Sequence, residues 1–390
     1  SDYVGRIGIG RVFAGTLRAG QNVVVISRDG KRKNQRVAQV FRFDGLGRAE
    51  ADHIDVGDLC AVVGLDPVDI GDTLADPASP VALPAVPVDE PTLHMTFRIN
   101  DGPFAGAEGK KVTSRLLRDR LQRELKSNVA LQVKEAGDEF HVSGRGLLHL
   151  GILLENMRRE DYELVVSKPK VIFQGEGSHR TEPIEILTID TPADSVGPAM
   201  QLVGDRRAEM IRMDARGDRT HIEFSIPARG LIGLRSRLLT ATQGEAIINH
   251  RFLEYGPFRG SIPGRVNGAI IATETGRVTA HALDQLSDRG VMFVKPADQV
   301  YEGQIVGEHC KDGDIIANVT RKKKLSNVRS STKDATVVLK AGRTLGLEAA
   351  LEYIEDDECV ELTPQSIRLR KRWLKESDRR RFSRQLARQT

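Results

Sequence analysis

Side chains able to do covalent or metal chemistry are sparse in this sequence, and their spacing excludes the common reactive sites. Cys60, Cys310 and Cys359 stand far apart with no CxxC pair. That pattern argues against a zinc module and for a reducing compartment. The closest histidines, His141 and His149, are not four residues apart, so no helix offers two imidazoles to a metal from one face. Neither GxxxxGK[ST], which would cradle nucleotide phosphates, nor a GxSxG nucleophile elbow occurs. DxxG occurs three times, at Asp44, Asp194 and Asp214, a frequency chance explains in a chain rich in Asp and Gly. His149, in an apolar helix, reads as a packed or capping residue, and Gly144 and Gly146 beside it as a tight strand-to-helix turn. The chain is expected to carry no catalytic residue, no metal and no cofactor of its own.

The chemistry that is concentrated here is positive charge. Asn318 to Lys333 carries Arg321, Lys322, Lys323, Lys324, Arg329 and Lys333 with no acidic residue. Six repelling cations with few apolar neighbours cannot be buried, so the stretch is expected as an exposed loop. Ser326 and Asn327 interleave hydrogen-bonding groups with the cations, as contact with phosphate and sugar requires. A second concentration follows at residues 365–390, with ten Arg and Lys against Glu376 and Asp378. The net charge is +4, of which the loop contributes +6 and the terminal stretch +8, leaving −10 on the rest. An acidic body with two basic surfaces fits a polyanionic partner met at one end.

These surfaces need a body to present them, and 390 residues are enough for several domains. Residues 1–90 alternate short Val- and Ile-rich runs with glycine, the pattern of a small antiparallel β-barrel. Pro77, Pro80, Pro84, Pro87 and Pro91 then mark a connector. Residues 91–179 read as strand, helix, strand, strand, helix, strand. Leu116, Leu117, Leu121 and Leu125 give the helical spacing, and Gly137-Asp138 a hairpin turn. Residues 180–262 repeat that order, so two ferredoxin-like βαββαβ domains are expected in tandem. Residues 263–390 read as a mixed α+β C-terminal domain. It has a helix from Ala280 ending at Gly290, a strand at Ile305–Cys310, another at Ala335–Lys340, a helix over Leu347–Ile354, and a terminal helix from Ser366. That last helix docks Ile367, Trp373, Leu374 and Phe382 and exposes Arg368, Arg370, Lys371 and Arg372. The fold class is therefore multidomain α+β. No signal peptide or long apolar run occurs, which points to a cytoplasmic chain without membrane contact.

Four stretches carry a family resemblance: NGAIIATETGRVTAHALDQLSDRG, VYEGQIVGEHCKDGD, RKKKLSNVRSSTKD and ELTPQSIRLRKRWL. They are similar to the C-terminal domain of the BipA/TypA translational GTPases. The opening GRIGIGRVFAGTLRAGQ resembles the barrel domain of translational GTPases, and SGRGLLHLGILLENMRREDYEL and ARGLIGLRSRLLTATQGEAIINHRFLEY resemble domains shared with elongation factor G. One departure is Leu147, where the family usually places Glu after GRG. The resemblance implies a ribosome-associated protein and a G domain, with its GTP and Mg, preceding Ser1. It also implies a first barrel strand upstream. It directs the loop at Lys322, Lys323, Lys324, Leu325, Ser326, Asn327 and Arg329 toward the transfer RNA acceptor end near the peptidyl-transferase region. It further implies roles in stress adaptation and large-subunit assembly; the chain itself is expected to be a monomer. An RNA chaperone or assembly factor that binds precursor ribosomal RNA without transfer RNA would use the same surface.

Overall fold

The computed structural model describes residues 6–45, 47–84, 90–175, 177–322 and 339–386. It divides into two units, one running to Val88 and including Arg123–Val129, the other holding the rest.

The first unit is built from short antiparallel strands. Ile7–Arg11, Leu59–Val63, Gln39–Asp44 and Gly47–Ala51 form one sheet in that order, and Arg32–Arg36, Asn22–Ile26 and Thr73–Ala75 a second. Thr16–Arg18 pairs with His53–Asp55. Val23, Val37, Val40, Ile54, Cys60 and Val62 fill the space they enclose. One glycine is dictated by space as well as by backbone: Gly64 has φ +97°, and a Cβ there would lie 2.6 Å from that of Ala38.

From Leu93 the chain follows the order read from the sequence: β1 Leu93–Ile99, α1 Ser114–Leu125, β2 Gln132–Ala136, β3 Glu139–Gly144, α2 Leu147–Arg159 and β4 Leu164–Ser167. These strands lie in the order β2-β3-β1-β4. Leu93, Met95 and Phe97 alternate inward on β1, and Leu150, Leu153, Leu154 and Met157 are the buried stripe of α2. The arrangement repeats in β5 Thr181–Pro192, α3 Val196–Gly204, β6 Glu209–Arg216, β7 Arg219–Pro227, α4 Leu234–Ala241 and β8 Ile247–Pro257, with strand order β6-β7-β5-β8. Leu187, Ile189, Val203, Ile222, Phe224 and Leu238 form its core. The glycine at 144 serves packing more than a turn, since a Cβ there would stand 2.9 Å from both His149 and Leu150. The His149 Nδ1 accepts from the Arg145 backbone N–H at 3.3 Å, the capping use read for it.

The main elements that follow are β9 Ala269–Ala272, α5 Ala280–Leu286, β10 Gln304–His309, β11 Ile315–Ala317, α6 Leu347–Tyr353, β12 Glu358–Leu362, β13 Ile367–Lys371 and α7 Glu376–Leu386. They do not form a separate sheet. β4 pairs antiparallel with β12, from Leu164↔Leu362 to Ser167↔Cys359. One mixed sheet therefore runs β2-β3-β1-β4-β12-β13-β10-β9-β11. The segments 91–179 and 263–390, read from the sequence as separate domains, thus share one continuous sheet, while the strands between them form a sheet of their own. The physical reason is visible in β4, where Leu164, Val165 and Val166 are all buried, so the strand needs a neighbour on each side.

Buried carboxylates hold this join. Glu361 on β12 is fully buried and accepts from the Tyr301 hydroxyl at 2.7 Å and from Arg368 at 2.9 Å. Arg368 also reaches Glu108, in the loop after β1. That loop is fixed by Glu163, whose carboxylate accepts from Asn100 Nδ2 and the backbone N–H groups of Gly106, Glu108 and Gly109 at 2.5–3.2 Å. On the other side of β12, Glu358 accepts two bonds from Arg265 at 2.9 Å and one from Lys371 at 2.9 Å.

Two sequence expectations are corrected. The segment from Ser366 is not one helix: Ile367–Lys371 is a strand, and the helix starts at Glu376. Leu369 and Ile367 alternate with arginines at period two; Arg368 pairs with Glu361 of β12, and Arg370 with Asp101. The helix from Ala280 ends at Leu286 rather than Gly290, which opens the strand Gly290–Met292, where a Cβ would collide with the Glu308 carbonyl. Most of the strand expected at Ala335–Lys340 lies outside the described residues; Leu339 and Lys340 carry no strand.

Removing Glu358 leaves Arg265 and Lys371 buried without their shared partner. Glu358→Ala is expected to cost about 3–5 kcal/mol, measured as a lowered urea midpoint. Acid acts on neighbouring bonds. The Arg158 and Arg159 side chains hold Glu155 at a pKa of about 2, and Glu108 and Asp314 are lowered because their hydrogen bonds and cationic partners outweigh burial. Carboxylates depressed in the folded state stabilise above their ordinary value and lose that contribution as pH falls. Unfolding midpoints should therefore drop between about pH 4.5 and pH 2, and Glu155→Gln should flatten part of that dependence.

Candidate nucleic-acid interface

The basic segment leaves the body at a built anchor. After β11, Asn318 Oδ1 accepts from the Thr320 backbone N–H at 3.0 Å and from its hydroxyl at 2.9 Å, turning the chain. Thr279, the N-cap of α5, accepts from the Ala282 N–H at 3.2 Å and donates its hydroxyl to the Arg321 carbonyl at 2.6 Å. Arg321 and Lys322 are exposed. Lys323, Lys324, Leu325, Ser326, Asn327, Arg329 and Lys333 lie outside the described residues. The chain is described again at Leu339, which packs on the core cluster containing Leu283 and Leu286 of α5. Beside it Lys340 Nζ donates to the Ser287 carbonyl at 3.2 Å. Both stems are thus held at α5, one at each end.

The second basic concentration divides in two. Arg370 and Lys371 are buried, and Arg368 keeps only 13% of its side chain exposed. Arg370 is paired with Asp101. Lys371 lies between Asp314, Asp357 and Glu358 at 2.6–2.9 Å. Burial disfavours the Lys371 charge, but these carboxylates outweigh it and raise its pKa. The structure therefore withdraws Arg368, Arg370 and Lys371 from the exposed surface expected of them. Their charges balance internal acids. Arg372 remains exposed, its guanidinium 5.4 Å from the Trp373 ring centre.

The cations that do face solvent come later in the sequence. Trp373 and Phe382 stack with ring centres 3.8 Å apart, and Arg379 donates to the carbonyls of Trp373 and Leu374, fastening α7 through its inner side. Ser377, Arg380, Arg381, Arg384 and Gln385 then line an open groove of about 480 Å³ on its outer side. Their spacing at three, four, seven and eight residues from Ser377 puts them on one helical face, a signal the sequence held once the helix start was moved to Glu376. Arg380 is tied to Glu376, leaving Arg381 and Arg384 as the freer cations among the described residues of that face. A rigid helix face with two guanidiniums about one turn apart suits contact with successive phosphates. Among the described residues no cluster of His, Cys, Asp and Glu could hold a metal ion. No described helix is long and apolar enough to cross a membrane.

Three family models match the chain: Elongation factor Tu domain 2 over residues 5–75, Elongation factor G C-terminus over 179–266, and TypA/BipA C-terminal domain over 267–376. The last of these spans both stems of the basic segment, β12 and β13. The large ribosomal subunit assembly factor BipA of Synechocystis is 49% identical over 374 residues, covering 95% of this chain and 63% of that protein. The chain belongs to the TypA/BipA family. The Bacillus subtilis protein of the same name is 46% identical over 383 residues, covering 97% of this chain and 63% of its own length. The putative elongation factor TypA-like SVR3, chloroplastic, of Arabidopsis is 46% identical over 372 residues, covering 94% and 55%. The chain thus spans roughly three fifths of the TypA/BipA relatives it matches.

The two classes of arginine separate experimentally. Arg368→Ala leaves Glu361 buried with a lost charge partner and is expected to lower stability by about 3–5 kcal/mol, with RNA affinity per folded molecule unchanged. Arg381→Ala with Arg384→Ala should leave the thermal midpoint unchanged and make the log–log salt dependence of single-stranded RNA binding shallower by roughly 1.4, read by fluorescence anisotropy.

Proposed function

We propose that this chain is the RNA-binding portion of a TypA/BipA-type translational GTPase, working on the ribosome in the cytoplasm. In this reading the segment 321–333 and the outer face of α7 meet ribosomal RNA and the acceptor end of transfer RNA. The first unit is a translation-factor barrel, and the two βαββαβ runs are ferredoxin-like bodies that orient the C-terminal elements. Nucleotide hydrolysis, with GTP and Mg, belongs to a part of the protein beyond these 390 residues, since the sequence holds no phosphate-cradling GxxxxGK[ST]. The observation that carries the reading is the position of the basic segment: it sits inside the TypA/BipA C-terminal match, with both stems fixed at α5.

A second reading is supported by the name these relatives carry, large ribosomal subunit assembly factor. There the same surface binds precursor ribosomal RNA without transfer RNA. Cosedimentation with isolated large subunits, compared with ribosomes carrying transfer RNA, separates the two. Tighter binding to the latter favours the first.

The deciding test is cosedimentation across a salt series. Contact of all six segment cations with phosphates gives a log–log slope contribution of about −4. Replacing Arg321, Lys322, Lys323 and Lys324 by Ala is expected to weaken binding and flatten the slope by roughly 2.8. Unchanged binding and slope would reject the segment as the phosphate contact.

A further inference from the structure

β6 is the outer strand of its four-stranded sheet and is hydrogen bonded to β7 alone. Seven of its eight residues, Glu209 to Arg216, are exposed. Three of them are large and apolar, Met210, Ile211 and Met213, with 52%, 53% and 47% of their surface open. No hydrogen bond among the described residues uses the outward backbone groups of this strand. The strand contains no proline, and its one irregularity is a bulge between Met210 and Arg212. An unpaired, partly apolar edge of this length is a template for another strand.

Its charge order identifies the strand that fits. Cross-strand register puts Met210 opposite Phe224 and Met213 opposite Ile222, on the face that carries the core, and puts Arg212 opposite Glu223 and Asp214 opposite His221, on the open face. When two copies of β6 meet antiparallel about a two-fold axis, residues opposite one another must share a face. That leaves centres on single residues. A centre on Arg212 opposes Arg212 to itself. A centre on Asp214 opposes Asp214 to itself and Arg212 to Arg216. A centre on Met213 sets Arg212 against Asp214 of the second copy, twice by symmetry, Met213 against Met213, and Ile211 against Ala215. Among the registers with long overlap only this one pairs opposite charges, and it also sets Met213 and Ile211 against apolar residues of the second copy.

We propose that two copies of this chain associate through β6, edge to edge with Met213 at the two-fold axis, to give one eight-stranded sheet. This departs from the monomer expected from the sequence and does not rest on the RNA-binding reading.

The test uses the full chain in analytical ultracentrifugation over a concentration series. The wild type should show a monomer–dimer equilibrium. Arg212→Asp places acids against Asp214 and Asp214→Arg places cations against Arg212, so each alone should weaken the dimer by roughly tenfold or more. An equimolar mixture of the two variants restores opposite charges at both pairs and should recover association, which also shows that each variant is folded. A wild type that stays monomeric throughout overturns the proposal. So does a dimer that survives both single reversals, or a mixture that associates no better than its components.

Discussion

Two carboxylates that cannot stay unpaired organise the C-terminal half of this molecule. Glu358 and Glu361 lie on one strand, are fully buried, and face opposite sides of the sheet. Taking a carboxylate out of water costs several kcal/mol unless cations and donors replace the lost hydration. The replacements are four side chains from three places: Arg265 before β9, Tyr301 before β10, and Arg368 and Lys371 on β13. Each pairing brings a distant stretch of chain to the same strand. The Arg368–Glu108 bond extends the set to the loop after β1, and the Glu163 carboxylate fixes that loop in turn. Hydrophobic contact alone tolerates slippage of these strands; directional bonds to buried acids select one register.

That arrangement explains where sequence reasoning succeeded. The two βαββαβ runs were legible because period-two and period-3.6 apolar patterns, with glycine turns between them, are local signals. His149 as a cap was legible for the same reason. The terminal stretch was misread because its charges were counted as surface. Ile367 and Leu369 alternate with Arg368 and Arg370, the signature of a strand, but arginine at the alternate positions looks solvent-facing until its buried acids are known. Glu361 stands seven residues before Arg368 but on the neighbouring strand, and Asp101 and Glu108 are 269 and 260 residues from their arginines, outside any local window. Strand pairing across that distance, like the join between β4 and β12, is tertiary information.

The same distinction clarifies the candidate interface. Net charge by segment marked both basic regions, and it did so correctly as arithmetic. It could not separate cations that neutralise the interior from cations that face solvent. Arg370 and Lys371 belong to the first kind, Arg372, Arg381 and Arg384 to the second. A basic stretch is evidence for a polyanionic partner only after its internal debts are subtracted. Here the subtraction shifts the outer surface from the strand to the helix that follows it.

The continuous sheet has a consequence for biosynthesis. β4 leaves the ribosome about 200 residues before β12, the strand that closes its side. At ordinary elongation rates this is a delay of roughly 10–40 s, during which Leu164, Val165 and Val166 line an open edge. A nascent chain in that state is exposed to mispairing with other unfinished chains. Completion of the sheet therefore waits until β12 and β13 have emerged from the exit tunnel, and a truncation before Glu358 would leave the interval permanent.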